Sequence, residues 1–249
     1  MRNTSSNQAS NVKSQTISWK SRCIVILLMI LCLLVITYSS REFRADLLQW
    51  EAHYIQKSWT EREELPTTEE LEKSQALYRK ALEWLPNYPA YHDALAYLLR
   101  LEMLTTSDPI EYEVLARESI SHNKAALKYR PIWPASYSQI VIVKSLLGEF
   151  DEEWYEYYRK AFELGPWDEV NLIQLAEAGI MYWPWLQKEY QEITITSILR
   201  VINYDRAHIA YLRKKMDTYV RTEEICALIS ENKLVLPLSG RQMPQSFCF

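Results

Sequence analysis

Three stretches of this chain end the same way, and that recurrence constrains the fold more than any other feature. Tyr78-Arg79-Lys80-Ala81-Leu82-Glu83-Trp84-Leu85-Pro86 resembles Asn123-Lys124-Ala125-Ala126-Leu127-Lys128-Tyr129-Arg130-Pro131. Both resemble Tyr158-Arg159-Lys160-Ala161-Phe162-Glu163-Leu164-Gly165-Pro166. An alanine stands five residues before each proline, and a large apolar residue four before it. The alanine lets two helices approach closely, and the proline ends one helix and turns the chain into the next unit. Pro131 and Pro166 are 35 residues apart, close to the about 34 of a tetratricopeptide repeat. Pro86 and Pro131 are 45 apart, so that unit carries an insertion, expected around Leu104–Asp108. The fullest unit runs from Pro134 to Pro166, with Tyr137 and Ile140 in its first helix, Gly148 in the inter-helix turn and Tyr158 in its second. The rival reading is a generic helical bundle with unrelated prolines. In the repeat reading Ala81, Pro86, Ala126, Pro131, Gly148, Ala161 and Pro166 are architectural.

Helix ends are legible between these marks. Thr67 followed by Glu70 has the pattern of a capping box. Asp108-Pro109 reads as an N-cap followed by proline at the first helical position, and Pro134 and Pro184 open helices in the same way. Gly165 fits a helix stop. Glycine is scarce, at four residues, and no alternating strand pattern occurs. The expectation is an all-α fold: an N-terminal transmembrane helix followed by a tetratricopeptide-like repeat domain.

The membrane expectation comes from Cys23 to Tyr38, which reads CIVILLMILCLLVITY without a charge. As a helix it spans about 24 Å, and Ser21, Ser39 and Ser40 extend the uncharged window toward the ~30 Å of a bilayer core. Trp19 and Tyr38 stand where interfacial aromatics belong. Arg2, Lys13, Lys20 and Arg22 precede the run with no acid among them, which predicts a cytoplasmic N-terminus and an exported body. A removable signal is the alternative, with Thr37-Tyr38-Ser39 as its cleavage site. Phe43, Leu47, Trp50, Tyr54 and Ile55 recur at helical spacing beyond the run, which predicts a stalk. The domain map is then a disordered basic cytoplasmic segment over 1–22, a transmembrane helix over 23–40, a stalk and linker over 41–66, the repeat domain over 67–231 and a tail over 232–249.

Charge and motif exclude several functions. With four of the 28 basic residues before Cys23, the remaining 24 face all 32 acidic residues. Such an acidic body argues against a nucleic-acid partner. No phosphate-binding glycine loop, nucleophile elbow or metal-spaced histidine motif occurs, so no catalytic, cofactor or metal residue is expected. His53, His92, His122 and His208 read as surface or capping residues. Asp151-Glu152-Glu153 and Glu69-Glu70 read as acids at helix starts, where they favour the macrodipole.

Three segments go further than the generic repeat: Ala81-Leu82-Glu83-Trp84-Leu85-Pro86-Asn87-Tyr88-Pro89-Ala90-Tyr91, Arg130-Pro131-Ile132-Trp133-Pro134 with Gly148-Glu149-Phe150, and Leu164-Gly165-Pro166-Trp167. Over roughly Glu69 to Trp185 they resemble the VpsP family, small membrane-anchored accessory proteins of bacterial exopolysaccharide biosynthesis clusters. The resemblance implies a non-enzymatic accessory role in making or exporting an extracellular polysaccharide, with protein components of that machine as partners. It carries over no catalytic residues. The alternative is a carbohydrate-binding module that handles the polymer itself.

Tyr88, Tyr91, Trp133, Trp167, Trp183 and Trp185 cluster at helix–turn junctions. They offer a binding surface or a platform for sugar rings; the competing reading is that they wedge between stacked helices. The wedge reading expects Trp133 and Trp167 to be largely buried. Cys23 and Cys32 fall in the apolar run, while Cys226 and Cys248 are the two exported cysteines, able to pair in an oxidising compartment.

Overall fold

A computed structural model describes residues 19–62, 65–202, 206–231 and 247–248. Among these the chain forms ten α-helices and no strand: α1 (Trp19–Glu61), α2 (Thr68–Trp84), α3 (Pro89–Met103), α4 (Pro109–Tyr129), α5 (Pro134–Leu146), α6 (Glu152–Leu164), α7 (Glu169–Tyr182), α8 (Lys188–Val201), α9 (Arg206–Thr218) and α10 (Thr222–Glu231). The all-α reading holds. Residues 1–18 of the expected disordered segment, and 232–246 and 249 of the tail, lie outside the described residues. Trp19–Arg22, assigned from sequence to that segment, are the first turn of α1.

The three repeat endings are superimposable in their local chemistry. Leu85, Arg130 and Gly165 close their helices by donating N–H to Ala81, Ala126 and Ala161 at 2.9, 2.9 and 3.0 Å. Their backbones share one conformation, with φ/ψ of −129/73°, −140/66° and −127/53°. Three residues on, Tyr88, Trp133 and Asp168 each donate back at 3.2 Å and stand as N-caps of the next helix. Ala81, Ala126 and Ala161 are fully buried. Proline at the second position of each turn blocks helix continuation, so the chain reverses at the same step each time.

The array is built from helix pairs: α3 packs chiefly on α4, α5 on α6 and α7 on α8, and α5 lies against α7. The ten extra residues of the longer unit are not in the loop around Leu104–Asp108. That turn has the same length as Leu147–Asp151. The excess is two residues in α3, with 15 against 13 in α5, and eight in α4, with 21 against 13 in α6. An insertion of two helical turns extends an existing helix without an exposed loop, because each added residue finds its own hydrogen bond four back.

The stalk expectation also changes. Ala45, Ala52 and Trp59 are spaced by seven and buried at 0, 0 and 5% exposure. Asp46 accepts the Tyr91 hydroxyl at 2.7 Å, and Gln56 reaches the Tyr78 hydroxyl at 3.5 Å. Residues 45–61 are thus the first helix of the array. The larger Phe43, Leu47, Trp50 and Tyr54 form the exposed face. The preceding part of α1, which contains the apolar run, is long and apolar enough to cross a membrane, and its Ile24–Ile36 side chains are more than half exposed wherever they are large and apolar.

Local signals account for the remaining boundaries. Thr67 and Glu70 form the reciprocal capping box, and Asp108 caps α4 by accepting from Ile110 at 2.9 Å. Gly148 takes φ +73° in the turn before α6, a conformation that favours glycine. Gly165 has an ordinary φ; its need is space, since a Cβ there would lie 2.6 Å from Pro134. Pro184 opens no α-helix: it sits in a single 3-10 turn, Trp183–Trp185, ahead of α8. Cys226 and Cys248 are disulfide-bonded, and Phe247 beside them is buried and accepts from Arg213 at 2.6 Å.

Candidate binding surfaces

The six junction aromatics divide into two sets. Tyr91 and Trp183 are fully buried, as wedges should be. Tyr88, Trp133, Trp167 and Trp185 are 45, 43, 50 and 63% exposed. The expectation that Trp133 and Trp167 wedge between repeats is therefore wrong. The physical reason is their place on the turn, where the N-cap position of α5 and the residue before the N-cap of α7 project toward the edge of the array. The wedges are Trp154 and Tyr158, both fully buried on α6. Trp154 donates its indole N–H to Ser145 Oγ at 2.9 Å, and the Tyr158 hydroxyl donates to the Leu175 carbonyl at 2.8 Å. Burial pushes the Tyr158 phenol far above its usual range.

Each exposed turn tryptophan carries an arginine on one face. The Arg130 guanidinium lies 4.0 Å from the Trp133 ring centre, and that of Arg200 lies 4.1 Å from Trp167. Both arginines are held from behind: Arg130 pairs with Asp93, and Arg200 donates to the Pro166 carbonyl. Asp93 also accepts from Ser136 at 2.6 Å, tying α3 to α5, and its burial raises its carboxyl despite these partners. The turns are neighbours, since Gly165 sits directly against Pro134. Together they make an edge on which two oriented indoles stand beside exposed Ile132. A cation stacked on an indole stabilises it by roughly 0.5–2 kcal/mol and holds its orientation.

A second cluster, of polar residues, joins distant helices. The first helices of successive pairs, α3, α5, α7 and α9, contact one another in series. Across them Glu177 of α7 accepts from the Tyr211 hydroxyl at 2.5 Å and pairs with Lys215, both on α9. Arg100 of α3 lies within electrostatic reach of Glu177 and Tyr211, and its guanidinium lies 5.4 Å from the Tyr97 ring centre. Burial depresses the Arg100 pKa and raises that of the Tyr211 phenol. Repeat register relates the cluster: Tyr97 and Glu177 occupy the same helix position two units apart. Aligning the units position by position would have drawn attention to it; motif spacing within one unit does not.

The polar residues singled out from sequence have structural work. Asp151 caps α6 through Trp154 N–H at 2.9 Å, and with Glu153 it holds the almost buried Lys144 ammonium at 2.7 and 2.9 Å. His92 and His122 face each other through their Nδ1 atoms at 2.8 Å, and burial beside His92 lowers the His122 pKa to about 4. His208 pairs with Glu169 at 2.8 Å. No group of three or more His, Cys, Asp or Glu with metal-binding geometry occurs among the described residues. Compared with known proteins, the chain matches no family model and no curated sequence.

Proposed function

We propose that this chain is a non-enzymatic, membrane-anchored assembly protein of an envelope polysaccharide machine, acting by protein–protein interaction through its repeats. The observation that carries the reading is α1. The helix that contains the apolar run also supplies the first helix of the repeat array. A repeat array offers an extended surface to another protein, and the anchor confines that surface to a membrane. The basic residues before the run orient the N-terminus to the cytoplasm of a bacterial inner membrane and the array to the periplasm. The bond between Cys226 and Cys248 fits an oxidising compartment. The polysaccharide itself enters through the resemblance of the three repeat segments.

Crosslinking in the native membrane, followed by identification of the attached proteins, tests the reading. Capture of polysaccharide synthesis or export components supports it; turnover of a sugar nucleotide or glycan by the purified chain overturns it. An export-dependent reporter fused after Arg221 should be active, and a mature N-terminus near Ser40 would show a removable signal instead. The carbohydrate-binding alternative is favoured by one observation, the exposure of Trp133 and Trp167. Loss of oligosaccharide binding in Trp133→Ala or Trp167→Ala, with the fold intact, would put that alternative first.

A further inference from the structure

The turns that close the three repeats lie in one row. At the second turn Tyr129 donates its hydroxyl to the Asn87 amide oxygen of the first at 2.7 Å. The third is packed on the second, since a Cβ on Gly165 would lie 2.6 Å from Pro134. The first turn stands where the chain enters the array: the Tyr88 ring centre lies 4.4 Å from that of Tyr91, whose hydroxyl donates to Asp46. Tyr88, Ile132, Trp133 and Trp167 are exposed along this row, and Ile132, at 73%, is the most open of them. The turns at the other ends of these helices have a different character. Thr105, Thr106, Ser107 and Asp108 fill one, and Glu149 and Asp151 flank Phe150 in the other. Trp185, beyond the far end of α7, is not part of the row.

We infer that this row is a membrane-surface contact, its aromatic and aliphatic side chains entering the headgroup layer of the phospholipid bilayer that the apolar run crosses. The inference rests on the reading of that run as an anchor. Along α1, Asp46 follows Tyr38, the last residue of the run, by eight residues, about 12 Å of helix. No orientation of the array carries this end far from the bilayer. Tyrosine and tryptophan suit the headgroup layer, with an apolar ring for its acyl side and a hydroxyl or N–H for its wet side. Ile132 decides between lipid and sugar. An aliphatic side chain at the tip of a turn gains by leaving water, but it has no hydrogen-bonding group to offer a sugar hydroxyl. Arg130 and Arg200 also cover one face of the two indoles, which a sugar platform would keep open. Charge is not the attraction. Glu83, Glu163 and Asp168 are exposed beside the row, so the contact is made by apolar insertion and does not need anionic lipid.

The test uses the full chain in phosphatidylcholine nanodiscs with one nitrobenzoxadiazole label at a time: on Ile132→Cys, on Ser107→Cys or on native Cys32. Cys23 and Cys32 are replaced by serine except where Cys32 carries the label. Ser107 is exposed on the far turn, with the 21 residues of α4, about 32 Å of helix, between it and the row. Lipid with a doxyl group near the headgroup should quench the label at 132 at least threefold more than the label at 107. Trp133→Ser and Trp167→Ser, singly and together, should lower that quenching with helix content unchanged. Equal quenching at 132 and 107, quenching that appears only when phosphatidylglycerol is added, or quenching untouched by the tryptophan variants would each overturn the inference. Protection of the 132 label from aqueous iodide by an added oligosaccharide, without lipid quenching, would assign the row to a glycan instead. The Cys32 label, read with doxyl deep in the acyl chain, separates the two readings. Quenching at Cys32 without quenching at 132 removes this inference alone, and no quenching at Cys32 removes the anchor and the inference with it.

Discussion

Tyr91, Trp154, Tyr158 and Trp183 lie inside the array, and Tyr88, Trp133, Trp167 and Trp185 lie on its outside. The residue types are the same, but exposure is 0% for the first set and 43–63% for the second. Three of the inner four find a polar partner for their hydroxyl or indole N–H: Tyr91 with Asp46, Trp154 with Ser145 and Tyr158 with Leu175. Two of the outer four instead carry a cation on one ring face. The difference teaches that adjacency to a proline turn does not bury an aromatic. What buries it is a place on a helix face that meets the next pair.

The comparison breaks first if the inner set can be removed cheaply. Trp154→Ala should cost roughly 3–5 kcal/mol, the range for a buried aromatic, measured by chemical denaturation of the detergent-solubilised chain. Ala161→Glu should cost about 3 kcal/mol or more, since the charge enters a fully closed helix contact; a wild-type melt would show that the repeat register is wrong. Cys226→Ser should come next, at about 2–4 kcal/mol, visible as a lower midpoint that reductant no longer changes.

A pH series sharpens the interior side further. The folded His122 pKa is lowered to about 4 from 6.5, so the unfolded chain takes up this proton first as pH falls. Stability should therefore decline between about pH 6.5 and pH 4. His122→Gln should flatten that part of the denaturation-midpoint profile. The smallest effect belongs to the edge. Trp133→Ala and Trp167→Ala should each cost about 1 kcal/mol or less, and a larger loss would mean that the indoles are structural after all.

Much of the fold was legible because its signals are local. The interval between proline turns, the capping box at Thr67 and the turn at Gly148 each depend on a few consecutive residues. The candidate surfaces were legible only in part. The sequence singles out Trp133 and Trp167 but not their exposure, because a turn residue and a wedge share the same neighbours in sequence. Arg100 was not marked at all. Its electrostatic partners include Glu177 and Tyr211, 77 and 111 positions away.

By itself the sequence determined the helical class, the three in-phase repeat endings and the one apolar run long enough to cross a membrane. Each follows from backbone chemistry or from hydropathy summed along the chain, and neither needs a distant contact. Only the tertiary structure decided that residues 45–61 are the array's first helix rather than a stalk. It also placed the extra ten residues in α3 and α4, and brought Arg100 within electrostatic reach of Glu177 and Tyr211. These outcomes depend on which helix faces meet, and that is set by packing between elements far apart in sequence.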